Sequence, residues 1–155
     1  MSNRASRIAE VMTGEPVTIS PDVGLLDALE VMRSWGMRHL PVTQNDKIVG
    51  VLSDRDIFRH LALSSVGDAK VRDAMSASPY VVTWAEGLAK IARTMADNKY
   101  GCTIVVDATG KVKGIFTTVD AMAILARLLH EPGDSEFHVM SVTDYLNHYR
   151  PVEAV

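Results

Sequence analysis

The chain has 155 residues, 47% of them hydrophobic and 23% charged, which is typical of a soluble globular protein with one domain or two closely packed subdomains. The net charge of −3 argues against non-specific nucleic-acid binding, which needs a positive field. No apolar run is long enough for a signal peptide or a membrane span, and Cys102 is the only cysteine. We therefore expect a cytoplasmic protein without a membrane association.

The elements predicted from residue 8 to about residue 60 occur again from residue 71 to about residue 124. A copy of about 60 residues would be marginal alone, so we expect the two copies to pack on each other. Five residues recur after 63 positions and two after 64, so copy two holds one inserted residue. The recurring pairs are Met12 and Met75, Pro16 and Pro79, Leu25 and Leu88, Met32 and Met95, Val42 and Val105, Gly50 and Gly114, and Asp56 and Asp120.

Each copy is predicted to contain a helical turn, a strand, a helix, two strands and a final helix. In copy one, Asp22 is placed to cap the first long helix. Two short strands follow around the polar turn "QNDK", and the matching turn "ATGK" of copy two holds the inserted residue. The final helices are predicted at about 54–64 and 118–130. The first long helix of copy one is amphipathic, with an apolar face made of Leu25, Leu26, Leu29, Met32 and Trp35.

Both copies end their last strand with the same polar signature, "GVLSDRD" in copy one and "GIFTTVD" in copy two. Ser53 and Thr117 lie where a strand turns into a helix. Their hydroxyls and the free N–H groups of the first helical turn can bind a phosphate. Asp56 and Asp120 lie one turn further on, where a carboxylate can accept hydrogen bonds from both hydroxyls of a ribose. The signature therefore predicts a nucleoside phosphate as ligand.

The order and duplication of these motifs resemble the CBS-domain family, named for cystathionine beta-synthase, as a stand-alone tandem pair or Bateman module. The resemblance covers about residues 8–130. It implies an α/β (α+β) fold of two pseudo-symmetric β-α-β-β-α repeats packed through their sheets, which leaves two clefts. We therefore expect repeat 1 at 1–65, repeat 2 at 66–131 and a tail with a short helix at 132–155. The matching segments are "VMTGEPVTISPD", "MRHLPV", "GVLSDRDI", "AMSASPYVVT", "YGCTIVV" and "GIFTTVDAM".

The resemblance also implies a function. Clefts of this family often bind adenosyl compounds, and the pairs commonly dimerise and act as sensors that change the activity of a partner. We therefore expect AMP, ADP or ATP as ligand, with S-adenosylmethionine as another candidate, a homodimer, and a regulated protein that the sequence does not identify. No enzyme activity and no catalytic residue are expected. The alternative is a ligand-free dimeric scaffold whose tail, near Tyr145 and Tyr149, contacts a partner.

In the family, each cleft takes its acid from one copy and much of its adenine wall from the other. Arg38 and His39 match positions that often hold phosphate-contacting basic residues. Copy two has Gly101 and Cys102 there, which removes that charge, and Arg55 is placed to restore a cation in the second cleft. The sequence leaves open whether one cleft or both are occupied. Cleft one, carried over by position, would consist of Thr13, Val17, Met37, Arg38, Thr117 and Asp120. Cleft two would consist of Ser53, Asp56, Ser76, Tyr80, Gly101 and Cys102.

These residues also have purely structural explanations. Ser53 and Thr117 suit helix N-caps, and acids in the first turn are favoured by the helix dipole. Two copies inside such a scaffold nevertheless favour binding. Arg38 is equally consistent with a solvated strand end, and Tyr80 with a side chain that fills the cleft. Cys102 is predicted to be buried and unreactive, and the five histidines have no ligand-like spacing, so no metal site is expected.

Overall fold

The computed structural model describes residues 7–64 and 68–129. The tail helix predicted within 132–155, and its contact role, lie outside these ranges. Copy one contains a 3-10 turn at Ile8–Glu10, β1 Thr13–Gly14, α1 Leu25–Ser34, β2 His39–Gln44, β3 Lys47–Ser53 and α2 Asp54–Leu63. Copy two contains α3 Val71–Ala74, β4 Val81–Thr83, α4 Leu88–Asn98, β5 Cys102–Val106, β6 Val112–Thr117 and α5 Thr118–Leu128.

The two copies exchange their opening segments. In the four-stranded sheet, ordered β1-β6-β5-β4, strand β1 of copy one lies antiparallel to β6 of copy two. In copy one, β2 and β3 form a hairpin, and an isolated antiparallel bridge joins Val51 of β3 to Ser76 of copy two. That bridge is the repeat equivalent of the pairing between Thr13 and Ile115. The predicted α/β fold of two pseudo-symmetric repeats is confirmed.

The hydrophobic cores follow the same exchange. Ile8, in the opening turn of copy one, is fully buried in the cluster of copy two. Val71, in the opening turn of copy two, is fully buried in the cluster of copy one. A third cluster packs Ile104 and Ile115 of copy two against Ile48 of copy one, which confirms that the copies pack on each other through their sheets.

The exchange explains the glycine that both copies place in their last strand. The side chain of Met12 fills the space that a Cβ atom at Gly114 would need. At Gly50, a Cβ atom would lie 2.7 Å from the sulfur of Met75 and 2.9 Å from the backbone oxygen of Ser76. Each opening turn therefore packs so closely on the strand of the other copy that no side chain fits beneath it.

The prediction that Asp22 caps α1 is wrong. The N-cap is Gly24, which makes no side-chain capping bond. The backbone N–H of Leu25 donates instead to the carbonyl of Ala69, at 2.9 Å, so the segment between the two copies satisfies the helix terminus. The Asp22 carboxylate pairs with the exposed guanidinium of Arg72.

The apolar face predicted for α1 is also partly wrong. Leu25 and Met32 are buried as expected, but Leu26 is 55% exposed and Ala28 is fully buried. Spacings of three and four residues place Ala28 between Leu25 and Met32 on one side of the helix, and Leu26 lies about 100° away from that side. Within the described ranges, no helix has the length and apolar composition that crossing a bilayer requires.

Candidate functional site

Two clefts open where the last strand of each copy turns into its final helix. Cleft one, at the start of α5, has a volume of about 310 Å³, and cleft two, at the start of α2, about 380 Å³. Both volumes fall in the range of small-molecule sites. The exchanged segments bring Thr13 into the cleft that contains Thr117, and Ser76 into the cleft that contains Ser53.

The structure brings together both predicted sets of residues, and their roles in binding stay predictions. His39 lines both clefts, as does Arg38. Cleft one is lined by all of its predicted residues, Thr13, Val17, Met37, Arg38, Thr117 and Asp120. Cleft two is lined by Ser53, Arg55, Asp56, Ser76, Tyr80, Gly101 and Cys102.

Both junctions form complete capping boxes. The Ser53 hydroxyl accepts from the Asp56 N–H at 3.1 Å, and Asp56 Oδ2 accepts from the Ser53 N–H at 3.1 Å and from the Ser53 hydroxyl at 2.6 Å. Thr117 and Asp120 repeat the pattern at 3.3, 2.7 and 2.7 Å. Ser53 and Thr117 therefore act as helix N-caps, which is the structural role that the sequence also allowed for them.

Capping leaves one oxygen of each carboxylate for other contacts. Asp120 Oδ1 accepts no hydrogen bond from the described part of the chain, and Asp56 Oδ1 lies 3.5 Å from a guanidinium nitrogen of Arg59. That ion pair is exposed and therefore weak. A cap that fixes Oδ2 also orients Oδ1, so the capping role and a ribose-binding role are compatible.

The prediction that free N–H groups of the helix turn bind phosphate is wrong for cleft two. The Asp54 N–H donates to the carbonyl of Arg38 at 3.1 Å, and the Arg55 N–H donates to Asp54 Oδ1 at 2.7 Å. The Asp56 N–H is held by Ser53. The first turn of α2 therefore has no free N–H group to offer a phosphate.

Several residues of the clefts were not predicted from the sequence, above all Trp35 in cleft one and Lys99, Tyr100 and Arg59 in cleft two. The repeat offset of 63 places Tyr100 at the position of Met37, which was already predicted for cleft one. The same arithmetic, applied to that residue, would have found Tyr100. Arg59 follows Asp56 by three residues, and that spacing puts both on one side of α2.

Two tyrosines form an aromatic wall in cleft two. The rings of Tyr80 and Tyr100 are stacked, with centroids 5.4 Å apart and an interplanar angle of 27°. Tyr100 is 40% exposed, so part of its side chain remains accessible. An accessible aromatic ring can stack on a nucleobase.

His39 reaches cleft two because Gly101 has no side chain. A Cβ atom at Gly101 would lie 2.7 Å from His39 Nε2. Burial lowers the pKa of His39, and the charge of Asp54 opposes this shift. Burial, together with the nearby Asp56 carboxylate, raises the pKa of the Cys102 thiol to about 12. Cys102 is therefore a buried neutral thiol, as predicted from the sequence.

The profile of the CBS domain matches residues 8–63 and 71–127, which is most of the chain. The chain belongs to the CBS domain family. It is 32% identical over 106 residues, 67% of its length, to protein MJ1404 of Methanocaldococcus jannaschii, of which the match covers 25%. The chain spans less than half the length of the curated relatives that it matches first.

Among residues 7–64 and 68–129, no cluster of histidine, cysteine and acidic residues could hold a metal ion.

Solved structures of CBS-domain pairs share the fold. CBSX2 of Arabidopsis thaliana in complex with AMP superposes with a TM-score of 0.69 at 29% identity, over 80% of this chain and 98% of that one. The CBS-domain pair of MJ0100, in complex with 5′-methylthioadenosine and S-adenosyl-L-methionine, superposes with a TM-score of 0.75 over 80% and 98% of the two chains. Its identity of 20% supports the fold alone.

Proposed function

We propose that this CBS pair is a regulatory sensor that binds AMP, ADP, ATP or an S-adenosyl compound in its two clefts and modulates a partner protein. The observation that carries the proposal is the repeated junction, in which a capping hydroxyl fixes an aspartate beside a cleft of small-molecule size. The complex of CBSX2 with AMP supports the ligand class. The proposal includes no catalytic step, and it keeps the predicted cytoplasmic location.

Each cleft offers the two kinds of contact that an adenosyl ligand needs. The carboxylate oxygen that capping leaves available on Asp56 or Asp120 is placed to accept from ribose hydroxyls, a charge-assisted bond worth about 1.5–3 kcal/mol. Apolar or aromatic walls then cover the base, with Met37 in cleft one and Tyr100 in cleft two. A bound ligand shifts the protein between two arrangements only by as much as its affinity for them differs.

A thermal-shift panel tests the ligand class. AMP, ADP, ATP and S-adenosylmethionine are compared with an NAD control, at concentrations up to millimolar. Ligand at a hundredfold over its dissociation constant stabilises by roughly 2.7 kcal/mol, which a melting curve resolves. We expect a shift with at least one adenosyl compound and a smaller one with NAD. A flat panel would contradict the sensor proposal.

The exposed face of α5 supports the predicted homodimer. The helix contributes no fully buried residue, and Val119, Met122 and Leu125 are 57%, 63% and 43% exposed. A contiguous apolar face on a helix is typical of an interaction surface. Val119 also lines cleft one, which connects the ligand to this surface. We expect Met122→Glu to convert a dimer into a monomer in analytical ultracentrifugation, whereas the exposed control Arg93→Glu on α4 should not.

The same face favours the second candidate function, a ligand-free interaction scaffold. That function requires the oligomer and no ligand. A flat thermal-shift panel together with an oligomer that Met122→Glu dissociates would support the scaffold. A monomer at all concentrations would contradict both the dimer and the scaffold.

A further inference from the structure

The two clefts carry opposite formal charge. Among the described residues that line cleft one, a single permanent cation, Arg38, faces the carboxylates of Glu15 and Asp120, which leaves a net charge of −1 with His39 neutral. Among those that line cleft two, four cations face the carboxylates of Asp54 and Asp56, which leaves a net charge of +2. These cations are Arg38, Arg55, Arg59 and Lys99. A phosphate chain is therefore attracted to cleft two and disfavoured in cleft one.

Within the described part of the chain, the helix terminus of cleft two leaves none of its first three N–H groups free for a phosphate. Because the first N–H groups of α2 are all bonded within the protein, the side-chain cations are the donors that a phosphate would meet there. Arg59 is paired with Asp56, but Arg55 and Lys99 form no ion pair with another residue of the described ranges.

Lys99 occupies a backbone position that suits glycine. It has a φ of +58°, the left-handed conformation that costs a side chain energy. The equivalent residue of copy one is Gly36, with a φ of +61°. Copy two therefore places an ammonium group beside cleft two in a conformation that glycine would adopt without strain.

Cleft one has the opposite character. Its walls include the apolar side chains of Trp35, Met37 and Val119. Low charge and an accessible indole suit a neutral or cationic adenosyl compound, because a cation is attracted to the face of an aromatic ring. The carboxylate of Glu15 is partly offset by Lys113, at 3.7 Å, which does not line the cleft.

From these observations we propose that cleft two selects adenine nucleotides with two or three phosphates, and that cleft one selects adenosyl compounds without a phosphate chain. This inference rests on the proposed function, because it assigns ligands within the same class to the two clefts. Lys99 and Arg55 are the residues that discriminate by phosphate number in cleft two.

The test is a calorimetric titration of AMP, ATP and S-adenosylmethionine, without Mg²⁺, into the wild type, Lys99→Gly and the control Lys111→Gln. The control removes a lysine of the β5–β6 turn that lines neither cleft. In the wild type, ATP should bind roughly tenfold more tightly than AMP at low salt and lose this advantage as salt rises. Lys99→Gly should weaken the binding of ATP about fivefold and that of AMP less than twofold.

Lys99→Gly should not lower the melting temperature, because glycine relieves the left-handed strain. A loss of ATP binding in that variant therefore cannot be attributed to unfolding. Asp56→Ala should remove the preference for ATP, whereas Asp120→Ala should retain it. AMP binding with no preference for ATP, or an equal loss of both ligands in Lys99→Gly, would overturn the assignment and leave the proposed function standing. Binding of neither nucleotide, nor of S-adenosylmethionine, would overturn both.

Discussion

The two clefts are built from equivalent elements of the two copies, but most of their lining residues differ. Each has a capping hydroxyl, an aspartate one turn further on, and an exchanged segment from the other copy. The four matching positions that lead from the first long helix into the first residue of the next strand hold Gly36, Met37, Arg38 and His39 in copy one, and Lys99, Tyr100, Gly101 and Cys102 in copy two. Not one residue is the same at these four positions.

The residues that the two clefts share stabilise the fold, whereas the residues that differ determine which ligand each cleft recognises. The capping boxes hold the helix termini in both copies, so a change there would cost stability as well as binding. Apart from the buried Cys102, these residues are exposed or half-buried at the cleft rim, where substitutions alter charge and shape with little effect on the core.

The largest expected effect is on stability, at the glycines beneath the exchanged turns. Gly50→Ala should lower the free energy of unfolding by about 2–3 kcal/mol, and Gly114→Ala by about 1 kcal/mol. At Gly50 a backbone oxygen, that of Ser76, stands 2.9 Å away, whereas at Gly114 only the flexible Met12 side chain has to move. Urea denaturation measures both values.

The control for these two variants is Gly14→Ala, because a Cβ atom at Gly14 meets nothing within 4 Å. It should change stability by less than about 0.5 kcal/mol. A larger loss of stability for Gly114→Ala than for Gly50→Ala would contradict the contacts described for the two exchanged turns.

The next effect concerns the aromatic wall. Tyr100→Ala should weaken the binding of the nucleotide in cleft two roughly tenfold, since stacking on an aromatic ring contributes about 1–3 kcal/mol per base. Met37→Ala, the matching change in copy one, should leave that ligand unaffected. Trp84 is 62% exposed and lies in neither cleft, so Trp84→Ala serves as the aromatic control. Equal losses for Tyr100→Ala and Trp84→Ala in calorimetry would contradict a specific stacking role.

A smaller effect is expected at the cation that both clefts share. Because Arg38 lines both, Arg38→Gln should weaken phosphate-containing ligands about three- to fivefold in whichever cleft they occupy. Arg33→Gln, on α1 and outside both clefts, is the matched control. Calorimetry on Asp56→Ala and Asp120→Ala backgrounds assigns the loss to a cleft. An affinity for ATP that is equal in Arg38→Gln and Arg33→Gln would contradict a contact between Arg38 and the phosphates.

The smallest effect is a pH dependence at His39. Its pKa is lower in the folded protein than in the unfolded chain, so the unfolded state binds the proton first. Stability from the neutral imidazole is therefore present above pH 6.5 and is lost as the pH falls from 6.5 towards the folded pKa. His39→Gln should show a shallower fall in melting temperature between pH 7.5 and 5.5. A steeper fall would contradict the burial of a neutral imidazole.

The fixed sequence offset between the two copies explains why much of the site could be predicted. Fixed offsets relate the two copies, so the position of Asp56 predicts that of Asp120, and a strand that turns into a helix presents its cap and acid to one cleft. The sequence also predicted the order of the elements, because apolar spacing and turn residues are local signals.

The remaining features depend on contacts between distant parts of the chain. The Leu25 N–H is satisfied by Ala69, so an aspartate cap at the start of α1 is not needed. The N–H of Asp54 is bonded to Arg38, which removes the anion site predicted at that helix terminus. Neither pairing has a local sequence signal, because each joins segments brought together only by the packed hairpin and the exchanged turn.

The most direct test of the central claim is a calorimetric titration of the adenosyl compounds identified in the thermal-shift panel. It is carried out on the wild type, Asp56→Ala, Asp120→Ala and the double variant, each checked for a cooperative melting transition. The account predicts two sites in the wild type, one in each single variant and none in the double variant. Binding by a folded double variant with the affinity and stoichiometry of the wild type would contradict it.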